Sequence, residues 1–100
     1  MPAATAEDDK LVTLARSARA RNAAAEGAAV RDDIGRTYVA TTVALSSLSL
    51  SAVQAVVAAA VSSGSASLEA IAVVGQPRDL DPAEQALLDE VGVSTVIREG

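Results

Sequence analysis

Three groups of side chains in this chain have the types and spacing for chemistry. Asp79, Asp81 and Glu84 cluster three carboxylates, an oxygen donor set of the kind that holds Mg²⁺ or Ca²⁺. Asp32 and Asp33 are adjacent acids, an arrangement that can keep one carboxyl protonated for general acid-base work. Ser46, Ser47, Ser49 and Ser51 stand ahead of an apolar run and offer hydroxyls as nucleophiles. Each group also has a plainer use. Asp81 and Glu84 fit a helix start, where a cap contributes about 1 kcal/mol. Asp32 and Asp33 fit a tight turn, and we expect them to be solvated turn formers. A serine nucleophile needs a base, yet the chain has no histidine and its one lysine, Lys10, belongs to another element. The serines are therefore expected to cap a helix, with Ser49 and Ser51 at an N-terminus whose free N–H groups and dipole favour an anion. We expect no metal and no cofactor.

Positioning these groups falls to a chain of 100 residues, enough for one domain, 1–100, with a modest core. Half of the residues are apolar, but Tyr38 is the only aromatic, so the core is built from Ala, Val, Leu and Ile. Small side chains bury little area each, at about 25 cal/mol per Å². Burying further surface against a copy of the chain would help, and a homo-oligomer, dimer or tetramer, is expected. Tyr38 is expected to lie half buried in a strand with its hydroxyl in water. A net charge of −5 argues against nucleic acid as a partner, because phosphate neutralisation needs clustered cations. Arg16 and Arg19 share one helix face near Arg21, and read as a solvated face. There is no cysteine and hence no disulfide. The acidic opening MPAATAEDDK does not resemble a signal peptide, and the apolar run Leu50 to Val61 is too short for a bilayer, which needs about 20 residues. A cytoplasmic protein is expected, and the richness in alanine and arginine suits a bacterium with GC-rich DNA.

Thr5 as N-cap and the spacing of Leu11, Leu14, Ala15 and Ala18 predict a helix from about Ala6 to Arg21. NAAAEG follows as a linker ending in Gly27. GAAV, RDDIG and RTYVATTVAL then predict two strands around an acidic turn, with Gly35 at the position that needs positive φ. The next helix runs from the serine cluster to about Ser62 and stops at Gly64; being apolar nearly all round, it is expected to be buried on more than one side. LEAIAVVG reads as a strand covered on both faces. DLDPAEQALLDEVG carries Asp81 as N-cap, Pro82 at the first helical position and Glu84 at the third, a capping box. VSTVIREG is a last strand. The order α-β-β-α-β-α-β predicts an α/β domain, a mixed β-sheet with helices packed on its faces.

This order resembles the core of the cytidine deaminases. LVTLARSARAR is similar to their first helix, and GAAVRDDIGRTY to their GAAxxxxDGRxY hairpin. AVVAAAVSSG with LEAIAVV resembles their central helix and third strand. The resemblance runs from about Asp9 to Ile97 and implies a three-layer cytidine deaminase-like fold. In that family a Cys-Ala-Glu or His-Ala-Glu at the central helix and a Pro-Cys-x-x-Cys at the next one hold zinc, and the glutamate moves protons as a metal-bound hydroxide attacks C4 of cytosine. Here the first motif falls on Ser51-Ala52-Val53 counting back from Gly64, or on Ala52-Val53-Gln54 counting forward from the hairpin. The second falls in LDPAEQA, Leu80 to Ala86, where Pro82 alone matches. The family's ribose contacts fall on Thr42-Val43-Ala44, and its base-packing Phe near Ala24. The resemblance thus implies a degenerate pocket at Ala24, Thr42, Ala44, Ser51, Val53 and Gln54, and an oligomer contact through Ala55, Ala58, Ala59 and Ser62. The function expected is that of a pseudoenzyme acting through assembly with itself or an unknown cytoplasmic protein, or of a sensor that binds a nucleoside or phosphate without reacting. A third reading has another chain complete the active site.

Overall fold

The computed structural model describes residues 6–100. Thr5, the expected first cap, lies outside the described residues. In chain order the elements are α1 (Ala6–Asn22), β1 (Glu26–Asp32), β2 (Thr37–Thr41), β3 (Val43–Ala44), β4 (Ser49–Leu50), α2 (Ala52–Ser62), β5 (Leu68–Gly75), α3 (Pro82–Val91) and β6 (Thr95–Glu99). The main sheet has the order β2-β1-β5-β6, antiparallel except for the parallel β5–β6 pair. The parallel pair is joined through α3, the crossover that parallel neighbours require. The fold is the expected mixed α/β arrangement in three layers.

Alternation along the two central strands separates those layers. Ala28 and Val30 of β1 and Ile71 and Val73 of β5 point to one face, where they pack with Val53, Val56, Val57 and Leu88 of α2 and α3. Ala29, Ala70, Ala72 and Val74 point to the other, against Leu11, Val12 and Ala15 of α1. The α1 face of the sheet is mostly alanine, so the helix lies close. A methyl added at Gly27 would run into the Ala15 carbonyl oxygen, which makes this glycine part of the packing. Acids in the first turn of α1 and Arg19 and Arg21 in its last suit the helix dipole. The helix ends in a Schellman motif. Ala24 N–H donates to the Arg19 carbonyl and Ala23 N–H to that of Ala20, with Ala23 in the left-handed region at φ 48° where glycine is usual.

Four expectations are corrected. The linker after α1 is shorter than NAAAEG, because Glu26 and Gly27 already pair with Gly75 and Val74 in β1. RTYVATTVAL is not one strand: pairing with β1 stops at Thr41, and Val43–Ala44 turns away to pair with Ser49–Leu50. The serines between form the turn of that small hairpin, and only Ser51 caps α2. That helix is also not buried all round. Ala52, Val53, Val56, Val57 and Ala60 face the core, while Ala58, Val61 and Ser62 are exposed.

The acidic turn departs from expectation too. Asp33 is exposed, but Asp32 is fully buried. Its carboxylate accepts from the backbone N–H of Ile34 at 3.1 Å and Arg36 at 2.8 Å, from Arg36 Nε at 2.7 Å and from Ser65 Oγ at 2.8 Å. Burial pushes this carboxyl up, yet the bonds from Ser65, Arg36 and Ile34 outweigh it and hold Asp32 at about 2. Gly35 at φ +89° closes the turn without strain. Tyr38 is half buried as expected, but its hydroxyl lies in hydrogen-bond contact, 3.2 Å, with Ser65 Oγ. The β1–β2 turn is thereby pinned to the loop after α2.

Candidate functional site

Helices α2 and α3 both begin on one side of the sheet, beyond the ends of the strands that precede them. Each is opened by a capping box. Ser51 Oγ accepts from Gln54 N–H at 3.1 Å while Gln54 Oε1 accepts from Ser51 N–H at 2.9 Å. Asp81 Oδ1 accepts from Glu84 N–H at 2.8 Å while Glu84 Oε1 accepts from Asp81 N–H at 3.0 Å. The polar groups at both helix starts are thus engaged locally before any ligand is considered.

A guanidinium sits between these helix starts and the sheet. Arg78 follows β5 and reaches Glu84 through Nη1 to Oε1 at 2.7 Å and Nη2 to Oε2 at 2.8 Å. It reaches Glu26, at the start of β1, through Nε to Oε2 and Nη2 to Oε1, both 2.9 Å. Nη1 also donates to the Asp79 carbonyl at 2.9 Å. All of the donors that a guanidinium possesses are used. Glu84 is fully buried and Glu26 nearly so. The two bonds from Arg78 chiefly, then the Asp81 N–H and the Ser51 hydroxyl, overcome burial and hold Glu84 at about 2, against an ordinary 4.5. Arg78 is raised above its ordinary range by Glu84 first and Glu26 second. Arg98 on β6 adds a second cation 3.9 Å from Glu26, and its Nη1 is buried without a hydrogen-bond partner.

Arg78 forms a wall shared by two cavities. One, of ≈ 410 Å³, is lined by Arg19, Ala25, Glu26, Thr42, Ser51, Gln76 and Arg78. The other, of ≈ 640 Å³, is lined by Pro77, Arg78, Asp79, Arg98, Glu99 and Gly100. Of the six residues expected around a degenerate pocket, Thr42 and Ser51 meet in the first cavity. Ala24 lies beside it, its carbonyl accepting from Arg19 Nε at 3.2 Å. Val53 is fully buried in the core, Ala44 is exposed on β3, and Gln54 is occupied by the α2 cap. Ser49 is exposed on β4, away from Ser51's position at the helix start. Ala55 and Ala59 are half buried and Ala58 and Ser62 exposed, so all four reach the outer side of α2. Sequence reading found Glu84 as a cap but missed Glu26, Arg78 and Arg98. The available signals were a charge at the head of the apolar β1 segment and an arginine just ahead of a capping box.

Zinc, which the resemblance implies, does not fit this donor set. Among the described residues no group of three or more Asp and Glu side chains converges as metal ligands, and the chain has no Cys or His. The two carboxylates that do converge are aimed at a guanidinium, whose positive charge would repel a divalent ion seated there. Asp79, Asp81 and Glu84 do not converge as a cation site either, since Glu84 turns to Arg78 and Asp81 to its own helix.

A family model described as cytidine deaminase-like matches residues 4–100. No match to a curated protein was found. Among solved structures, a point mutant of cytidine deaminase from Mycobacterium tuberculosis is 30% identical with a TM-score of 0.74, over 92% of this chain and 84% of that one. Cytidine deaminase from Mycobacterium leprae is 28% identical with a TM-score of 0.67, over 87% of this chain and 86% of that one. That from Burkholderia pseudomallei, at 24% identity and a TM-score of 0.70 over 84% of this chain and 76% of that one, shares the fold. The family model spans nearly the whole chain and the solved structures share its fold: the chain belongs to the cytidine deaminase-like family.

Proposed function

We propose that this chain is a non-catalytic member of its family that acts in the cytoplasm by assembling with copies of itself or with a protein partner. The observation that carries the reading is the engagement of Glu26 and Glu84 by Arg78, with both helix starts satisfied by their own capping boxes. Activating water would need a metal or a free carboxylate at this place, and both carboxylates here are taken up in ion pairs with Arg78. The outward side of α2 supports assembly. Exposed Ala58 and Val61 border a groove of ≈ 580 Å³ that continues over Val57, Leu87 and Val91 and carries one acid, Glu90, a mainly apolar surface with a polar edge of the kind interfaces use. No helix among the described residues is long and apolar enough to cross a membrane. Incubation with cytidine or deoxycytidine in the presence of added zinc, followed by absorbance, tests the first half of the proposal: no turnover is expected, and turnover overturns it. Mass in solution tests the second half, with a value above the 10.0 kDa of one chain expected.

The ≈ 410 Å³ cavity favours a second reading, a sensor for a nucleoside or a phosphate. Its lining combines Arg19, the Arg78–Glu26 pair, Gln76 and the hydroxyl residues Thr42 and Ser51, a mixed polar surface of the kind a polyhydroxyl ligand uses. A ligand at one hundred times its Kd stabilises a protein by about 2.7 kcal/mol, so thermal shifts with nucleosides and nucleotides decide this reading.

A further inference from the structure

We infer that two copies of this chain join edge to edge along β2, antiparallel about Val39, so that their sheets run on as one. The inference rests on the reading of self-assembly above and adds a contact at the sheet edge to the groove beside α2; the two contacts can fail separately. Its first ground is charge. No charged residue lies between Arg36 and Glu69, although the chain has 8 cations and 13 acids. This stretch holds β2, the β3–β4 hairpin and α2, with seven residues buried and the other 25 reaching the surface. A standard interface draws about 20–30 residues from each side and is poor in charge at its core. Copies that each carry a net charge of −5 repel least where neither brings a charge.

The backbone of β2 supplies the second ground. Its neighbour in the sheet is β1, and its other edge meets no strand among the described residues. Asp32 N–H donates to the Arg36 carbonyl and Thr42 N–H to that of Glu26. Bonding alternates along an antiparallel pair, so Tyr38 and Ala40 also bond to β1, while Thr37, Val39 and Thr41 turn their N–H and C=O groups outward. Proteins ordinarily guard such an edge with charge or proline. β6, at the opposite edge, carries Arg98 and Glu99; β2, TYVAT, carries neither guard. About a twofold axis at Val39, this valine meets its own copy and Thr37 meets Thr41, so the outward groups of both strands pair with one another. Cross-strand pairs of β-branched residues suit neighbouring strands.

Charge outside the stretch complements the same arrangement. α1 runs alongside β2: its first turns and Thr37 line one cavity, and Asn22 at its end donates to Thr41 Oγ1 at 3.1 Å. The twofold therefore sets the first turn of one α1, with Glu7, Asp8 and Asp9, at the level of the last turn of the other, with Arg19 and Arg21. Opposite charges face each other at both ends of the contact.

The mass in solution of the wild type and of Val39→Lys provides the test. Val39 is 38% exposed, so a lysine there stays in solvent in the single chain and sets two cations against each other at the axis. The wild type is expected at twice or four times the 10.0 kDa of one chain, and Val39→Lys at half the wild-type mass with its helix content unchanged. A second readout serves where Val39→Lys does not fold. The chain has no cysteine, so Val39→Cys and Val96→Cys each introduce a single thiol, on β2 and on the opposite edge strand β6. A short bismaleimide is expected to join Val39→Cys into dimers and to leave Val96→Cys as single chains. A wild type at the mass of one chain overturns the inference and self-assembly with it, and leaves the absence of turnover to its own assay. An assembled wild type whose mass Val39→Lys leaves intact, or Val39→Cys joined no faster than Val96→Cys, overturns the inference alone.

Discussion

Arg78 and Glu84 face each other fork to fork, Nη1 to Oε1 at 2.7 Å and Nη2 to Oε2 at 2.8 Å, with the carboxylate side chain only 1% exposed. The same carboxylate completes the capping box of α3. One side chain therefore fixes both where the helix begins and where it docks. The pair is the centre of the account, and its acid sensitivity follows.

Glu84 is held at about 2 in the folded chain against an ordinary 4.5. A carboxyl depressed by folding stabilises the folded state fully above its unfolded value, and loses that contribution as pH falls through the folded one. The difference amounts to about 3 kcal/mol. Stability measured by denaturant unfolding should fall between pH 4.5 and about 2, with Asp32, held at about 2 from 3.8, adding to the same window. Glu84→Gln should flatten part of that slope. An unchanged slope in this variant would show that Glu84 is not held by Arg78 in solution.

Asp32→Ala removes the acceptor for Ser65, Arg36 and two backbone N–H groups at once. Leaving buried donors without partners should lower the melting temperature by roughly 10 °C, while Asp33→Ala, at an exposed position, should shift it little. Equal small shifts would contradict the buried role of Asp32.

Ala23 holds a left-handed conformation at φ 48° at the end of α1. Ala23→Gly should therefore stabilise the chain by about 1 kcal/mol, against the usual direction of an alanine-to-glycine change. Gly27→Ala should do the opposite, by about 2 kcal/mol, because its methyl meets the Ala15 carbonyl oxygen. Denaturant midpoints of the two variants check both signs.

If copies assemble through the outer side of α2, Ala58→Glu and Val61→Glu should return the protein to the mass of one chain without lowering its helix content. Both positions are exposed, so neither change disturbs the core. Light scattering after size exclusion distinguishes this from a wild type that is already monomeric, which would remove self-assembly from the proposal.

Much of this fold was legible because its determinants are local. Asp81, Pro82 and Glu84 announce α3 within four residues, and the apolar run Leu68–Gly75, interrupted only by exposed Glu69, announces a strand buried on both faces. The end of α1 was read one residue early, at Arg21 instead of Asn22, since alanine occupies the place where glycine would have marked it. The β3–β4 pair is too short to have a period. Asp32 looked like a turn acid because turn chemistry is local, whereas its burial comes from Ser65, 33 positions away. The Arg78–Glu26 contact spans 52 positions, and no spacing rule links residues so far apart. The want of Cys and His could be read from the sequence; the pairing of Arg78 with Glu26 and Glu84 required the structure.

The most direct test of the central claim is the metal content of the chain purified without chelator from cells grown with added zinc. No stoichiometric zinc is expected, because Glu26 and Glu84 are already paired with Arg78 and no further ligand converges on them among the described residues. One zinc per chain, lost together with stability on chelation, would contradict it.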